Sequence, residues 1–332
     1  MKTIILLSII LIQSSVNAQM QLPTSTLSAC DYCIASQGIS PIDVGSSGAR
    51  YDIRSLVLTK MYHDGSEIVN TSDAFESYLT HQLSMYYSLT PSLSVSFMLP
   101  FSSRIASGNG TAPHPPVLVK DVSSQTPQHH VGEEAYNDHV AGLSDILLYG
   151  RYQLIKDESS SFFLSATAGV KFPTGATNAK NDEGELLNPH IQLGTGSTDP
   201  LLGFDMHYGW DDYSASMSLM STFPTTGAQN YKFGTILSYS VNGKYNLFNF
   251  GEMNSVIAAF GVSGEWHDVE KQYEQVVENT GGNTTYLYPG IQLLIGHAMT
   301  FDISYQYAII HGLKGTQLGD SFRIMGGAQY LF

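Results

Sequence analysis

The chain is poor in charge, in cysteine and in long apolar runs, and each shortage removes a class of protein. Only 13% of its residues are Asp, Glu, Lys or Arg, where soluble domains carry about a quarter. Bases are the scarcer kind: 15 Lys and Arg against 29 Asp and Glu leave a net charge of −14. A nucleic-acid surface needs clustered positive charge to meet phosphates, so no nucleic-acid partner is expected. After the amino terminus no stretch approaches about eighteen consecutive apolar residues, which excludes a helical membrane span. The two cysteines, Cys30 and Cys33, cannot supply a four-thiolate zinc site within one chain.

What is present begins with an export signal. Lys2 precedes an apolar run over residues 4–12, followed by a polar segment ending Val16-Asn17-Ala18. This pattern predicts a signal peptide over 1–18, cleaved before Gln19. Residues 19–49 are then an exported segment, periplasmic or plugging, rich in Ser, Gly and Pro. In an oxidising compartment Cys30-Asp31-Tyr32-Cys33 is expected to close a small disulfide, with redox exchange or metal capture as the alternatives. Ile34 stands where c-type haem attachment would need His. Leu27-Ser28-Ala29-Cys30 spells a lipoprotein-type box, but it lies too far beyond the apolar run to favour lipidation.

From residue 50 onward the signal is a period of two. In Ser321 to Phe332 one face carries Phe332, Tyr330, Ala328, Ile324 and Phe322, and the other Leu331, Gln329, Met325 and Arg323. Twelve such stretches are expected, at about 50–63, 75–89, 92–104, 144–156, 160–173, 198–210, 212–224, 231–246, 252–267, 282–297, 299–313 and 321–332. Their polar faces are built of Ser, Thr, Gln and Gly rather than charge, unlike the outer face of a soluble sandwich. Connections alternate strictly between long and tight. That alternation predicts an all-β, antiparallel up-and-down transmembrane β-barrel of about 12 strands over 50–332, with both ends in the periplasm. The last stretch must then close against residues 51–62, because an open edge cannot stand in lipid.

The faces assign charges to the lumen. Arg54, Lys60, Arg151, Lys171, Lys232, Lys244 and Arg323 are expected inside, with Asp52, Glu76, Asp145, Asp205, Glu265 and Asp302. Arg323 is expected to pair with Asp302 or Asp52. The long loops are acidic, with only Lys120, Lys180, Lys271 and Lys314 as bases. Acidic loops concentrate cations at the mouth and repel anions. The longest loop, 105–143, is expected to fold into the mouth and constrict or plug it. It holds His129, His130, Glu133 and His139, a possible transition-metal set whose spacing matches no closed site.

Three motifs give the chain a family likeness. Gly142-Leu143-Ser144-Asp145 with Arg151-Tyr152, then Lys171-Phe172-Pro173-Thr174-Gly175, then Gly194-Thr195-Gly196-Ser197-Thr198-Asp199 follow one another in order. They resemble the Gly-Leu-Gly-Asp…Arg-Tyr, Leu-Pro-Thr-Gly and Gly-Thr-Gly-Ser/Thr-x-Asp segments of the transporter-like barrels of the MetA pathway of phenol degradation. The Cys-x-x-Cys segment is similar to that of a subgroup with a cysteine-bearing amino terminus. The likeness covers roughly 50–332. It implies an outer-membrane barrel with a role in uptake of hydrophobic compounds and no catalytic residues. The aromatic terminal residues Tyr330 and Phe332 resemble the insertion signal that the barrel-assembly machinery reads.

The sequence therefore predicts a channel-like barrel in the cell outer membrane for passive or gated passage of small solutes. Its partners are membrane lipid, the assembly machinery and a solute that the sequence does not identify; no cofactor is expected. A closed barrel acting as scaffold or receptor, with a redox partner at the Cys pair, is the alternative. A rim-site enzyme is the third. The chain is expected not to be an enzyme: it has no His-x-Ser, and His81 and Ser84 would face opposite ways on a strand. Nor has it a Gly-x-Ser-x-Gly elbow.

Overall fold

The computed structural model describes residues 46–109, 135–157, 161–251, 253–296 and 298–332. Its strands in chain order are β1 (Gly48–His63), β2 (Ser66–Ile68), β3 (Phe75–Thr90), β4 (Leu93–Gly108), β5 (Tyr136–Leu143), β6 (Ile146–Asp157), β7 (Phe162–Phe172), β8 (Asp199–Trp210) and β9 (Tyr213–Thr222). There follow β10 (Tyr231–Lys232), β11 (Ile236–Phe250), β12 (Asn254–His267), β13 (Lys271–Gln272), β14 (Gln275–Val276), β15 (Gly282–Ile295), β16 (Met299–Leu313) and β17 (Thr316–Leu331). Counting β5 and β6 as two halves of one strand, the wall has twelve antiparallel strands. It closes where β17 pairs with β1, from Gly48 opposite Leu331 to His63 opposite Thr316. No helix among the described residues is long and apolar enough to cross a membrane. Closure satisfies the backbone groups that lipid could not.

Each wall strand has a buried and an exposed face because successive side chains alternate. On β8, Leu201, Gly203, Asp205 and His207 are buried while Leu202, Phe204, Met206 and Tyr208 are exposed. The arrangement inverts a soluble protein: large apolar groups such as Ile291, Ile303 and Phe260 lie outside, and Gln82, Ser102, Ser263 and Gln292 are buried inside. That outer band is what a bilayer requires. Around the tight-turn end the band finishes in rings, Tyr208, Trp210, Tyr213 and Tyr245 forming a chain with successive centroids 5.4, 6.0 and 4.8 Å apart. Tyr330 and Phe332 continue it with centroids 6.3 Å apart.

One strand is broken for a covalent reason. Pro100 sits mid-way along β4 and has no N–H to give. Below it β4 pairs with β6 and above it with β5, while Ser144 N–H donates to the Pro100 carbonyl at 3.0 Å. The two halves have opposite parity, and Ser144 and Asp145 are both buried between them. Among the described strands β5 pairs only with β4.

Three expectations need correction. The wall strand expected at 231–246 starts at Ile236, because Pro224, Gly227 and Gly234 interrupt the alternation; Tyr231 and Lys232 instead pair with β13 in a small sheet, and Lys232 is exposed. The closing strand begins at Thr316 rather than 321. β4 runs on to Gly108, and residues 136–143, expected in the long connection 105–143, form β5, so only residues 109–135 connect the two.

Candidate functional site: the lumen and its inward loop

The connection from β7 to β8, residues 173–198, turns into the barrel. Leu187 and Ile191 pack with Ala106, Tyr136, Val140 and Ala179 against the inner face of β4 and β5. Two buried anchors hold it. Arg104 on β4 donates to the carbonyls of His190 at 2.9 Å and Leu193 at 3.4 Å, and also to that of Gln192.

The second anchor gathers the three sequence motifs. Asp145 accepts Gly175 N–H at 2.9 Å on one oxygen. On the other it accepts Thr195 N–H at 3.0 Å, Thr195 Oγ1 at 2.9 Å and Lys171 Nζ at 2.6 Å. Lys171 also pairs with Asp199 at 2.9 Å, which in turn accepts Thr225 N–H at 2.8 Å. A carboxylate taking several hydrogen bonds and an ammonium is well matched in a buried setting. Gly175 and Gly194 let the two limbs of the loop touch: a Cβ at either would lie 2.7 Å or less from the other's backbone. The motifs are thus the root of the loop, tied to the wall.

Three further charge groups line the lumen. Near the tight-turn end Arg50 pairs with Asp52 at 2.7 Å and Asp302 at 2.9 Å. Near the loop end Arg323 donates to Asp320 at 2.6 Å, lies 3.3 Å from Glu265, and stands 4.0 Å over the Tyr286 ring. Arg151 and Asp205 form a pair at 3.2 Å on the wall between. Beside it Met98, Leu147, Tyr149, Leu201 and Met220 make a buried apolar patch on the inner face.

Of the residues expected inside, Arg54, Asp145, Arg151, Lys171, Asp205 and Arg323 are buried, and Asp302 is mostly so. Lys60 is a correction. A bulge between Leu58 and Lys60 takes it off the inward series, and its ammonium pairs with Glu67 at 2.9 Å, both side chains about half exposed. The expected partner of Arg323 is also corrected. Asp302 lies opposite Gly327, away from Arg323, and is held by Arg50. Strand periodicity alone does not single out Arg50, Arg104 or Asp320, and Asp199 is legible only as the end of its motif. The even parity of Arg104 with Ser94, Ser96 and Ser102 was the signal for it. Of the metal candidates His139 lies on β5, its ring 3.3 Å from Ser103 Oγ; His129, His130 and Glu133 lie outside the described residues, as do Cys30 and Cys33. The expected constriction by 105–143 falls mostly outside them too, and the segment seen inside the barrel is 173–198.

Over the mouth three connections meet. His190 Nε2 is 2.8 Å from Glu270 Oε2, and the Tyr231 hydroxyl donates to the same oxygen. Burial pushes the Glu270 carboxyl up, but His190 and Tyr231 outweigh it and hold the group below its ordinary range. Tyr231, Phe233, Ile236 and Val277 form a small core beside this contact.

The family model described as MetA-pathway of phenol degradation matches residues 77–324. The chain belongs to this family. All three motifs of the loop root lie inside the matched span. In fold the chain is similar to an outer membrane channel from Pseudomonas putida F1, with a TM-score of 0.61 at 13% identity over 88% of this chain and 97% of that one. The β domain of the Bordetella autotransporter BrkA gives a TM-score of 0.45 at 11% identity, over 86% of this chain and 100% of that one. No curated protein matches the chain. With its closed wall, outer apolar band and aromatic rim, the protein is an outer-membrane β-barrel.

Proposed function

We propose that the barrel is an outer-membrane channel for small solutes, narrowed by residues 173–198 and not by catalysis-bearing groups. The observation that carries this reading is the loop folded inside a closed wall and fastened there by Asp145, Lys171 and Arg104. A lumen of twelve strands is narrow enough for one such loop to set its bore. The solute is a small, partly hydrophobic compound: the inner patch of Met98, Leu147, Leu201 and Met220 offers an apolar surface beside the loop. The fold likeness to a bacterial outer membrane channel and the family's own description support the same class.

Planar-bilayer recording tests it. The refolded protein should give small, discrete steps, and deletion of residues 178–190 should enlarge them severalfold. Asp145→Asn should enlarge or destabilise them by loosening the loop root. Absence of current from both the full protein and the deletion would make the barrel a closed scaffold and end the channel reading.

A further inference from the structure

The connections over the mouth are layered. Residues 224–235 lie on the inward loop: Ala228 N–H donates to the Thr195 carbonyl at 2.9 Å, and Gln229 Nε2 to that of Leu187 at 3.1 Å. Residues 268–281 lie on that layer in turn. There β13 pairs with β10, Tyr273 N–H donates to the Asn230 carbonyl at 3.0 Å and Gln272 Nε2 to that of Gln229 at 3.3 Å. A chamber of about 130 Å³ lies beneath, with Glu270 and Arg323 both in its lining. We infer that the two connections form a cap latched onto the inward loop by Glu270, and that release of the latch opens the channel's mouth. The consequence for passage rests on the channel reading, while the latch itself can be tested without current.

The latch spans all three layers. Glu270 belongs to the upper one, Tyr231 to the middle one and His190 to the loop, and both partners meet the same carboxylate oxygen. A carboxylate oxygen only accepts, so His190 Nε2 and the Tyr231 hydroxyl are its donors. Two donors on one buried oxygen suit the charged carboxylate, and a proton on Glu270 would take up part of that accepting capacity. The His190 ring also stands edge-on to Tyr231 and Phe233, with centroids 5.9 and 5.2 Å away.

The two sides of the latch are held differently. Arg104 grips the His190 carbonyl at 2.9 Å, so the loop side is fixed to β4. On the cap side β13 and β14 are joined through Tyr273 and Glu274, both in the left-handed region at φ 50° and 64°. A two-residue hairpin turn of this kind ordinarily carries Asn or Gly, and other residues are strained there. A hairpin built against its own turn preference is kept closed by the layer it lies on.

The surrounding charge sets the sign of the response. His190 and Tyr231 face Glu270 directly, and His267 stands near it on β12; Glu76, Glu265, Asp320 and Arg323 face it across the chamber. Of its sequence neighbours Asp268 is exposed and Lys271 half-buried. Burial raises the Glu270 carboxyl, and His190, Tyr231 and His267 lower it by more, to below its ordinary value of 4.5. The latch therefore holds at neutral pH and lets go in acid.

The test is hydrogen exchange and planar-bilayer recording on the refolded, full-length barrel. At pH 7 Glu270→Gln and His190→Gln should each speed amide exchange in 227–233 and 268–276 by about tenfold, the worth of a charged hydrogen bond, with β8 and β9 unchanged. Both variants should open about tenfold more often at unaltered step size, because the inward loop still sets the bore. The wild type should follow them as pH falls below about 4.5, and Glu270→Gln should not respond. Unchanged exchange in both variants would overturn the latch, and faster exchange with unchanged opening would overturn its control of the mouth. Should both variants fail to assemble, pepsin decides on the wild type: it must cut within 268–276 below about pH 4.5 and spare that segment above, and uniform cleavage refutes the latch. Absence of current from every form ends the channel reading alone, since exchange still decides whether the cap is latched.

Discussion

The Lys171 ammonium lies 2.6 Å from Asp145 Oδ2 and 2.9 Å from Asp199 Oδ2, with all three side chains almost wholly buried. One cation thus joins the strand that begins the loop, the strand that ends it and the broken strand beside them. Removing it by Lys171→Met should cost about 3–5 kcal/mol, because two carboxylates would be left buried without their counter-ion. Urea unfolding of the refolded barrel measures the loss. A variant as stable as the wild type would show that the ion pair holds nothing.

Arg104 holds the loop by its backbone carbonyls. Arg104→Ala should free the carbonyls of His190, Gln192 and Leu193 while the wall remains paired. Limited proteolysis is expected to cut between residues 180 and 192 in the variant and to spare the wild type, with the barrel fragments staying associated.

The contact over the mouth should be acid-sensitive. Glu270 titrates below its ordinary value of 4.5 in the folded protein, burial raising it and His190 and Tyr231 lowering it by more. A depressed carboxyl stabilises the fold above its unfolded value and loses that contribution as pH falls through the folded one. Thermal unfolding should therefore drop more steeply below about pH 4.5 in the wild type than in Glu270→Gln. Parallel curves would remove Glu270 from the account.

Tyr330 is half exposed and Phe332 more so, at the rim, and Phe332 N–H donates to the Ser47 carbonyl at 2.9 Å. Deleting Phe332 should lower the amount of barrel assembled in cells. Refolding of the same variant from urea into detergent should proceed at near the wild-type yield. Equal losses in both assays would make the residue a structural one rather than a recognition signal.

Periodicity made the wall legible. Every wall strand could be placed because lipid outside and a polar lumen inside impose one pattern on all of them, and the loop alternation follows from having two different aqueous sides. The closing pair followed from that logic. Periodicity says nothing about where a strand is bent: it places Lys60 inside although a bulge turns it away, and it runs straight through Pro100, whose missing N–H marks the break at Ser144 and Asp145. Partners across the lumen were harder still. Arg323 faces inward as expected, but Asp320, three residues earlier on its own strand, reaches it before Asp302 can. The motifs were visible as motifs. That Asp145, Lys171, Thr195 and Asp199 meet at one point depends on a loop turning inward, which no local pattern encodes.

The pairing of β17 with β1 also bears on how the protein is made. The two strands lie at opposite ends of the described chain, so their ladder has close to the largest sequence separation the fold permits, and ordering them together comes late and slowly. Until they meet, each presents a long row of unpaired donors and acceptors, and those rows invite pairing with any other chain nearby. The same contact that makes the finished wall seamless makes the unfinished one adhesive. Transit across the periplasm is therefore the stage at which this protein most needs to be kept from its own kind.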